Sequence, residues 1–396
     1  MHNLTKIKLF RTALWITLPL AYVFVYPFVL LRKKNPSPLF FFFDRYAIGG
    51  AQRIHLDILK SVEDIWKQVY FTRKSPNSKL KEAFYSIPDT ENRDIHFWCD
   101  NILFRLFSVH YYVFYINRHA KAHVLSSNST FFYDMLPFFG KRVYRTELLH
   151  NFSYGKNGIE FFGLANHRYL DARIVYDSFT RSNILKQYKE FGIENQYNNR
   201  IVFIEPGVDI PPSLEKEFSA PLKVLYAGRG GPQKRIWLLN KIVEHFINNA
   251  LPVEFHFAGT MMDELSEPVK QGSVLHGEIS NKEEMNAIYK MCHAIILTSA
   301  YEGFPMVIKE GMAMGCIPVV TALEGNKMHL VHKQNSLLID AVENEAEVIT
   351  KGIGNVSLLI ADPELTRYLS ASAYEYAVKH FDRIRFLSEY RAFLLK

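Results

Sequence analysis

The hydrophobic and polar positions of the chain form two series in which short apolar runs alternate with helical patterns. In the first series, the apolar run from Leu39 to Phe43 precedes a Gly-Gly turn, and helical spacing follows from Ala51. This alternation predicts parallel strands covered by helices. The predicted strands lie at residues 39–43, 67–73, 122–128, 141–151, 172–178 and 200–209 in the first series, and at 222–228, 253–259, 273–279, 294–300 and 316–322 in the second.

A proline-rich polar stretch, "PPSLEKEFSA" at residues 211–220, separates the two series. Two strand–helix series joined in this way predict an α/β protein with two doubly wound, Rossmann-like domains. The expected division is an N-terminal segment at 1–36, a first domain at 37–210, a linker at 211–221, a second domain at 222–375 and a C-terminal helix at 376–396 that crosses back to the first domain.

An uncharged apolar segment, residues 12–31, precedes the first series. Its length is about that of a helix that spans a bilayer, and Pro19 and Pro27 predict kinks within it. A signal sequence and a soluble core helix are the alternatives, but no small-residue cleavage site precedes Arg32. We therefore expect a membrane anchor that either spans the bilayer or lies re-entrant in it. The flanking cations are Lys6, Lys8 and Arg11 before the segment and Arg32, Lys33 and Lys34 after it.

The composition is that of a globular protein, with 48% hydrophobic and 22% charged residues. The charge is unevenly distributed along the chain. Residues 1–210 carry 28 Lys and Arg against 18 Asp and Glu, whereas residues 211–396 carry 19 against 22. A basic first half suits an anionic membrane surface, a phosphorylated substrate or nucleic acid. The three cysteines, Cys99, Cys292 and Cys316, have neither paired nor metal-type spacing, which is typical of reduced thiols in a cytosolic protein.

A glycine-rich loop follows the first strand of each series, at the strand end where open parallel sheets bind ligands. Gly49 and Gly50 precede a helix, so their backbone can approach a phosphate. A plain tight turn is the alternative, because the dinucleotide-binding fingerprint is incomplete. In the second loop Gly228 is followed by Arg229 and Lys234, two cations that can clamp a diphosphate. Solvated surface charge is the alternative there.

The stretch "EGFPMVIKE" places two carboxylates around a predicted helix start. With Pro305 as the first helical residue, Glu302 lies on the preceding loop and Glu310 lies one to two turns into the helix. Carboxylates accept hydrogen bonds from sugar hydroxyls, and the N–H groups of Phe304 and Met306 can bind an anion. The alternative is a helix-start carboxylate stabilised by the helix dipole, together with a surface glutamate.

His150 follows the predicted strand that contains "TELL". A histidine at a strand end can donate a hydrogen bond to a leaving or an accepting oxygen. A packed or capping histidine is the alternative. The sequence has no recognised nucleic-acid-binding module and no Asp-x-Asp at a strand end, so neither nucleic acid nor a metal ion is expected.

The ordered set "GGAQR", "GRGGPQK" and "EGFPMVIKE" resembles the retaining glycosyltransferases of family 4, or glycosyl transferases group 1, which have the GT-B fold. That family has a Gly-Gly loop after the first strand, a G-R-x4-K loop and E-x7-E with Gly-Phe-Pro. The resemblance extends over roughly residues 39–396 and implies two domains that face each other across a cleft. The chain departs from it at Gln52, where an acidic residue is common, and at Gly325, which stands alone where a glycine pair is usual.

The resemblance implies a role for each site residue. Arg229 and Lys234 would hold the diphosphate of a nucleotide sugar such as a UDP- or GDP-sugar and stabilise the leaving group. Glu310 would bind the ribose. His150 would face the donor sugar, and no cofactor or metal would be needed. The remaining donor contacts expected are Glu302 with the backbone of Gly303, Phe304, Pro305 and Met306, together with Gly49, Gly50 and Gly228.

The function expected is transfer of a sugar to a membrane-associated glycan or lipid-linked acceptor, as in cell-envelope polysaccharide or lipopolysaccharide biosynthesis. The protein would work on the cytoplasmic side of the membrane, held there through residues 12–31. The alternatives within the fold are a nucleotide-sugar epimerase and a phosphorylase. The alternative outside enzymes is a membrane-tethered, catalytically silent nucleotide-binding partner protein.

Overall fold

The chain forms two compact units in a computed structural model. The structure describes residues 2–34, 38–47, 49–150, 152, 158–214 and 216–396. Unit 1 comprises Met1–Glu205 and Leu387–Lys396, and unit 2 comprises Pro206–Phe386. The last helix of the chain therefore begins in unit 2 and ends in unit 1.

The apolar N-terminal segment forms two helices, α1 (His2–Phe24) and α2 (Tyr26–Leu31). α1 continues through Pro19, whereas the predicted kink near Pro27 falls at Val25, because Pro27 lies in the first turn of α2. Proline is tolerated in a first turn, where its missing N–H has no intrahelical partner to lose. Residues Thr5–Phe24 are long and apolar enough to cross a membrane, a test that signal sequences and core helices also pass.

Unit 1 contains a sheet of parallel strands in the order β3-β2-β1-β4-β5-β6-β7. The strands are β1 (Leu39–Phe43), β2 (Lys67–Phe71), β3 (Thr90–Asp94), β4 (His123–Ser127), β5 (Tyr144–Leu149), β6 (Ala172–Val175) and β7 (Ile201–Phe203). All five residues of β1 are buried, as expected for a central strand covered on both faces. The edge strand β3, "TENRD", was not predicted, because its polar residues carry no apolar pattern.

The helices of unit 1 connect these strands and cover the sheet. They are α3 (Gly50–Lys60), α4 (Lys81–Tyr85), α5 (His96–Asp100), α6 (Ile102–Asn117), α7 (Thr130–Met135), α8 (Glu160–Asn166) and α9 (Ser178–Glu190). Asn101 caps α6 by accepting hydrogen bonds from the N–H groups of Leu103 and Phe104, which separates α6 from α5.

Unit 2 contains a second sheet of parallel strands in the order β10-β9-β8-β11-β12-β13. They are β8 (Leu222–Gly228), β9 (Val253–Gly259), β10 (Val274–Gly277), β11 (Ala294–Leu297), β12 (Ile317–Thr321) and β13 (Leu337–Ile339). The predicted α/β class with two parallel sheets is confirmed. β13 was not predicted. β8 and β11 are neighbours, so the loops that follow them leave the same edge of the sheet side by side.

The helices of unit 2 pack on both faces of this sheet. They are α10 (Ile236–Asn248), α11 (Glu267–Gln271), α12 (Lys282–Met291), α13 (Met306–Ala313), α14 (Glu324–Lys327), α15 (Glu345–Ala361) and α16 (Pro363–His380). The last helix, α17 (Arg383–Leu394), begins in unit 2 and ends in unit 1. Gly311 of α13 lies so close to Ile295 of β11 that a Cβ at this position would overlap that side chain. The small residues of α13 thus let the helix lie close to the sheet and place Glu302 above the strand ends.

Candidate donor site and the histidine pair

The loops after β8 and β11 are joined by an ion pair between two of the predicted site residues. Lys234 Nζ contacts Glu302 Oε1, and the two side chains are only 14% and 12% exposed. Backbone bonds link the same loops, since the Ala300 N–H donates to the carbonyl of Gln233 at 2.8 Å. The cation predicted to hold a diphosphate and the carboxylate predicted to hold a sugar therefore form one charged cluster.

Arg235, which the sequence reasoning did not single out, fixes the backbone of this cluster. It has a left-handed backbone with φ of 51° and a buried side chain. Its guanidinium donates to the carbonyls of Thr298 at 2.7 Å and Ser299 at 3.0 Å, and to that of Val342 at 2.8 Å. Three carbonyl acceptors around one buried cation make a rigid base, and Lys234 projects from it.

A carboxylate also secures the glycine-rich loop between Gly228 and Lys234. The Gly231 N–H donates to Glu264 Oε1 at 2.6 Å, and a Cβ on Gly230 would overlap the same carboxylate. Arg229 is exposed, and its carbonyl accepts a hydrogen bond from the Tyr226 hydroxyl at 2.7 Å. The loop thus presents an exposed cation above a backbone held from both sides.

The second predicted carboxylate, Glu310, lies in the second turn of α13. Its Oε2 accepts a hydrogen bond from the Tyr289 hydroxyl at 2.8 Å. The helix begins at Met306 with Pro305 as its N-cap, so Pro305 is not the first helical residue as predicted. Its φ of −62° suits a helix, but its ψ of 135° is extended, which places it just before the first turn.

The loop before α13 owes its position to close packing. A Cβ on Gly325 would overlap the carbonyl oxygen of Gly303, so glycine is required there for the two backbones to meet. The ring of Phe304 packs on His329 and Phe381, with centroid separations of 4.4 and 5.5 Å. The Phe304 side chain therefore anchors the loop.

In unit 1, His150 directly follows β5 and forms a pair with a buried histidine, His55 of α3. The two Nε2 atoms lie 2.9 Å apart, and the His55 ring stacks on Phe43 at a centroid distance of 4.0 Å. Burial lowers the pKa of His150 to about 3. Burial, with a contribution from His150, also lowers the pKa of His55 well below its ordinary value. Both rings are therefore neutral at physiological pH, and one ring donates to the other.

The predicted Gly-Gly loop leads into the helix that carries His55. α3 begins at Gly50 with Gly49 as its N-cap. A Cβ on Gly49 would lie 2.6 Å from Gln52 Oε1, whereas a Cβ on Gly50 would meet open space. Gln52 in turn lies 3.5 Å from the buried carboxylate of Asp44, whose pKa is raised by burial.

Sequence-predicted residues therefore gather into two groups, one in each unit. The loops after β8 and β11 bring Lys234 and Glu302 together, and α3 links the Gly-Gly loop to His150. His55, Arg235, Glu264 and Tyr289 were missed. Arg235 follows directly on the predicted Lys234, and His55 lies on the helix that begins in the predicted Gly-Gly loop. Glu264 and Tyr289 lie on elements that carry no motif.

Comparison with known proteins finds one family model that matches part of the chain. The sequence model of the family "Glycosyl transferases group 1" matches residues 221–355, which contain both loops of the charged cluster. No curated protein sequence matches the chain significantly.

Solved structures extend the similarity to most of the chain. Anabaena HepE in complex with UDP-glucose has a TM-score of 0.69 at 18% identity, covering 90% of this chain and 98% of that one. The lipopolysaccharide outer core galactosyltransferase WaaB has a TM-score of 0.65 at 16% identity, covering 90% and 98%. A variant of S. aureus TarM in complex with fondaparinux, α-GlcNAc-glycerol and UDP has a TM-score of 0.58 at 19% identity. That alignment covers 73% of this chain and only 59% of the TarM chain. At these identities the likeness shows the fold, so the chain has the GT-B fold, and its residues 221–355 match glycosyl transferases group 1.

Proposed function

We propose that the protein is a retaining glycosyltransferase that moves a sugar from a nucleotide-sugar donor to a membrane-associated glycan or lipid-linked acceptor. The observation that carries the proposal is the Lys234–Glu302 pair at the adjoining ends of β8 and β11. It lies within the stretch that matches the glycosyltransferase family. A paired cation and carboxylate suit a ligand that has both a diphosphate and sugar hydroxyls.

Donor binding is assigned to unit 2. Arg229 and Lys234 hold the diphosphate, Glu302 and the backbone from Gly303 to Met306 hold the sugar, and Glu310 binds the ribose hydroxyls. Tyr289 orients Glu310, because its hydroxyl already donates to one carboxylate oxygen. UDP is the donor nucleotide we favour, because HepE and TarM have been solved with UDP-glucose and UDP respectively.

The reaction breaks the bond between the anomeric carbon and the diphosphate oxygen and forms a bond from that carbon to an acceptor oxygen on the same face. The acceptor hydroxyl gives its proton to the departing diphosphate oxygen. Lys234 and Arg229 stabilise the negative charge that develops on this leaving group, which is the role a divalent metal has in other transferases. His150, which is neutral, supplies a hydrogen bond to the donor sugar without adding charge.

Features of unit 1 support the proposed acceptor and location. The apolar N-terminal helices and the basic first half suit an acceptor at the cytoplasmic face of a membrane, as in cell-envelope polysaccharide or lipopolysaccharide synthesis. WaaB, one of the similar structures, is described as a lipopolysaccharide outer core galactosyltransferase.

The proposal is tested by donor turnover with a panel of UDP- and GDP-sugars. Lys234→Ala and Glu310→Ala are compared with Lys241→Ala, which removes an exposed lysine from α10 outside the cluster. We expect the first two to lose activity and the control to retain it. Full activity in both site variants would show that the site assignment is wrong.

The products separate the alternatives. A transferase gives free nucleoside diphosphate and an α-linked product from an α-linked donor, which NMR detects. An epimerase converts the donor sugar without releasing the nucleotide, and a phosphorylase requires inorganic phosphate. A silent partner protein would show nucleotide-induced thermal stabilisation without turnover.

A further inference from the structure

We propose that unit 1 binds a bilayer through a composite apolar surface and that α1 lies along the membrane plane instead of crossing it. The surface combines the outer face of α1 (Leu9, Ile16, Leu20 and Val23) with the corner between α5 and α6 (Phe97, Trp98, Ile102, Leu103, Phe104 and Phe107). We call it the apolar surface. The choice of a lipid partner rests on the proposed function. The arrangement of the apolar surface is argued only from contacts and exposures within unit 1.

The two faces of α1 differ in what they contact. Leu14 and Ala21 are fully buried, whereas Leu9, Ile16 and Val23 are 67%, 70% and 64% exposed. Residues seven apart lie on one face of a helix, and the two sets lie on opposite faces. The inner face packs on the protein, and the outer face is equally apolar but is not covered by any residue that the structure describes.

Polar contacts hold the inner face along the length of the segment. Near the start of α1, Arg11 donates to Asn166 of α8 at 2.6 Å. Midway, Thr17 Oγ1 lies 3.0 Å from His110 Nε2 of α6. Past the end of α2, Arg118 donates to the carbonyl of Arg32 at 3.0 Å. A helix that crossed the bilayer in this position would carry these polar groups of the unit into hydrocarbon, which is energetically unfavourable.

The α5–α6 corner adds a second apolar element that is distant in sequence. Phe97 and Leu103 are 59% and 66% exposed, and the rings of Phe97, Trp98 and Phe104 cluster with centroids 5.3 to 5.5 Å apart. Arg105 points inward, pairs with Asp134 and lies 5.7 Å from the centroid of Phe10 in α1. This contact places the beginning of α6 beside the beginning of α1, so the two elements adjoin.

Charge identifies the occupant as a membrane and not a second copy of the chain. No Asp or Glu precedes Asp44, and between residues 97 and 107 the only carboxylate is Asp100. Lys6, Lys8, Lys33 and Lys34 are exposed around the segment. A two-fold dimer through this surface would bring like charges together, whereas anionic headgroups complement them while the apolar side chains enter the interface. Soluble monomers rarely expose a patch of this kind.

The test is flotation of the full-length protein with vesicles of phosphatidylcholine alone and of phosphatidylcholine with phosphatidylglycerol. Phe97→Ser combined with Leu103→Ser removes two exposed side chains of the α5–α6 corner and leaves α1 intact. The matched control is Phe191→Ser with Phe203→Ser, which removes two exposed phenylalanines of unit 1 outside the surface. Substitution is preferred to deletion of residues 1–34, because Leu14, Ala21 and Val29 are part of the core.

We expect the wild type to bind vesicles, more strongly with phosphatidylglycerol, and the corner variant to partition roughly tenfold more weakly, with the control unchanged. Binding by the corner variant equal to wild type would overturn the composite surface, and so would an equal loss in the control. Concentration-dependent dimerisation without lipid that the corner variant abolishes would assign the surface to a second copy instead. Nucleotide-sugar hydrolysis without vesicles is measured in parallel. The corner variant should retain this hydrolysis. The two assays therefore distinguish an error in the proposed membrane surface from an error in the proposed transferase function.

Discussion

The glycine-rich loops after β1 and β8 occupy corresponding positions in the two sheets but differ in the groups that hold them. Charged side chains hold the loop after β8. Arg235 donates hydrogen bonds to three carbonyls, Glu264 accepts one from a backbone N–H, and Lys234 forms an ion pair with Glu302. The helix after the Gly-Gly loop is held by a neutral pair, His55 and His150. A charged loop suits a diphosphate, whereas a neutral hydrogen-bond donor suits a sugar hydroxyl. The shared topology therefore places both loops at corresponding strand ends, whereas their side chains give the two loops different chemistry.

The largest expected effect comes from removing either charge of the Lys234–Glu302 pair with little change in side-chain shape. Glu302→Gln and Lys234→Met should each lower kcat/KM by roughly 10² to 10³-fold, because each removes a contact that positions or stabilises the donor. The double variant should lose little more than either single variant, since the two residues act as one cluster. Steady-state kinetics measure all three, and fully additive losses would show that the pair does not work as a unit.

A glycine comparison tests whether the close approach at Gly303 positions the loop between β11 and α13, which carries Glu302. Gly325→Ala should lower both activity and Tm, because its Cβ would overlap the Gly303 carbonyl, with a stability loss of about 1–3 kcal/mol. Gly354→Ala in α15 meets open space and should be neutral or stabilise by up to ~1 kcal/mol. Thermal denaturation and donor turnover of both variants are the measurement. Unchanged turnover in Gly325→Ala would separate this contact from the site.

The neutral pair in unit 1 predicts a pH dependence of stability. Because burial lowers the pKa of His150 from 6.5 to about 3, the unfolded chain binds a proton more readily between these values. The contribution of His150 to stability is therefore present above about pH 6.5 and is lost as pH falls toward 3. Between pH 7 and pH 5, the Tm of His150→Asn should fall less than the Tm of the wild type, and the two decreases should differ by a few degrees. Parallel Tm curves for the two proteins would contradict the neutral state of His150 in the folded protein.

The smallest effect expected is at Glu264, the carboxylate beside the glycine-rich loop. Glu264→Gln keeps an oxygen to accept from the Gly231 N–H but removes a negative charge near the predicted diphosphate site. UDP should bind a few-fold more tightly, because Glu264 is exposed and solvent screens much of its repulsion. Isothermal titration at low and high salt measures the change, which should shrink at high salt. Weaker binding would show that the carboxylate is needed to shape the loop.

Much of the fold could be predicted from the sequence, because buried parallel strands have continuous apolar runs and the helices that cover them have apolar residues at helical spacing. β3 was not predicted because an edge strand needs no apolar pattern, and β13 was not predicted either. The start of α13 was placed one residue early, since a proline suits both the N-cap and the first helical position. The N-terminal helices were identified as apolar, but which of their faces would be covered depends on α6, far along the chain.

The sequence by itself determined the alternation of strands and helices, the uneven charge and the presence of Gly228, Lys234, Glu302 and Glu310 in family-like spacing. Only the tertiary structure decided that Lys234 meets Glu302, because the adjacency of β8 and β11 is set by strand order and not by sequence distance. The same holds for His55 and His150, which lie 95 residues apart in the chain. Local patterns reflect which face of an element is buried, whereas contacts between elements arise from the packing of the whole unit.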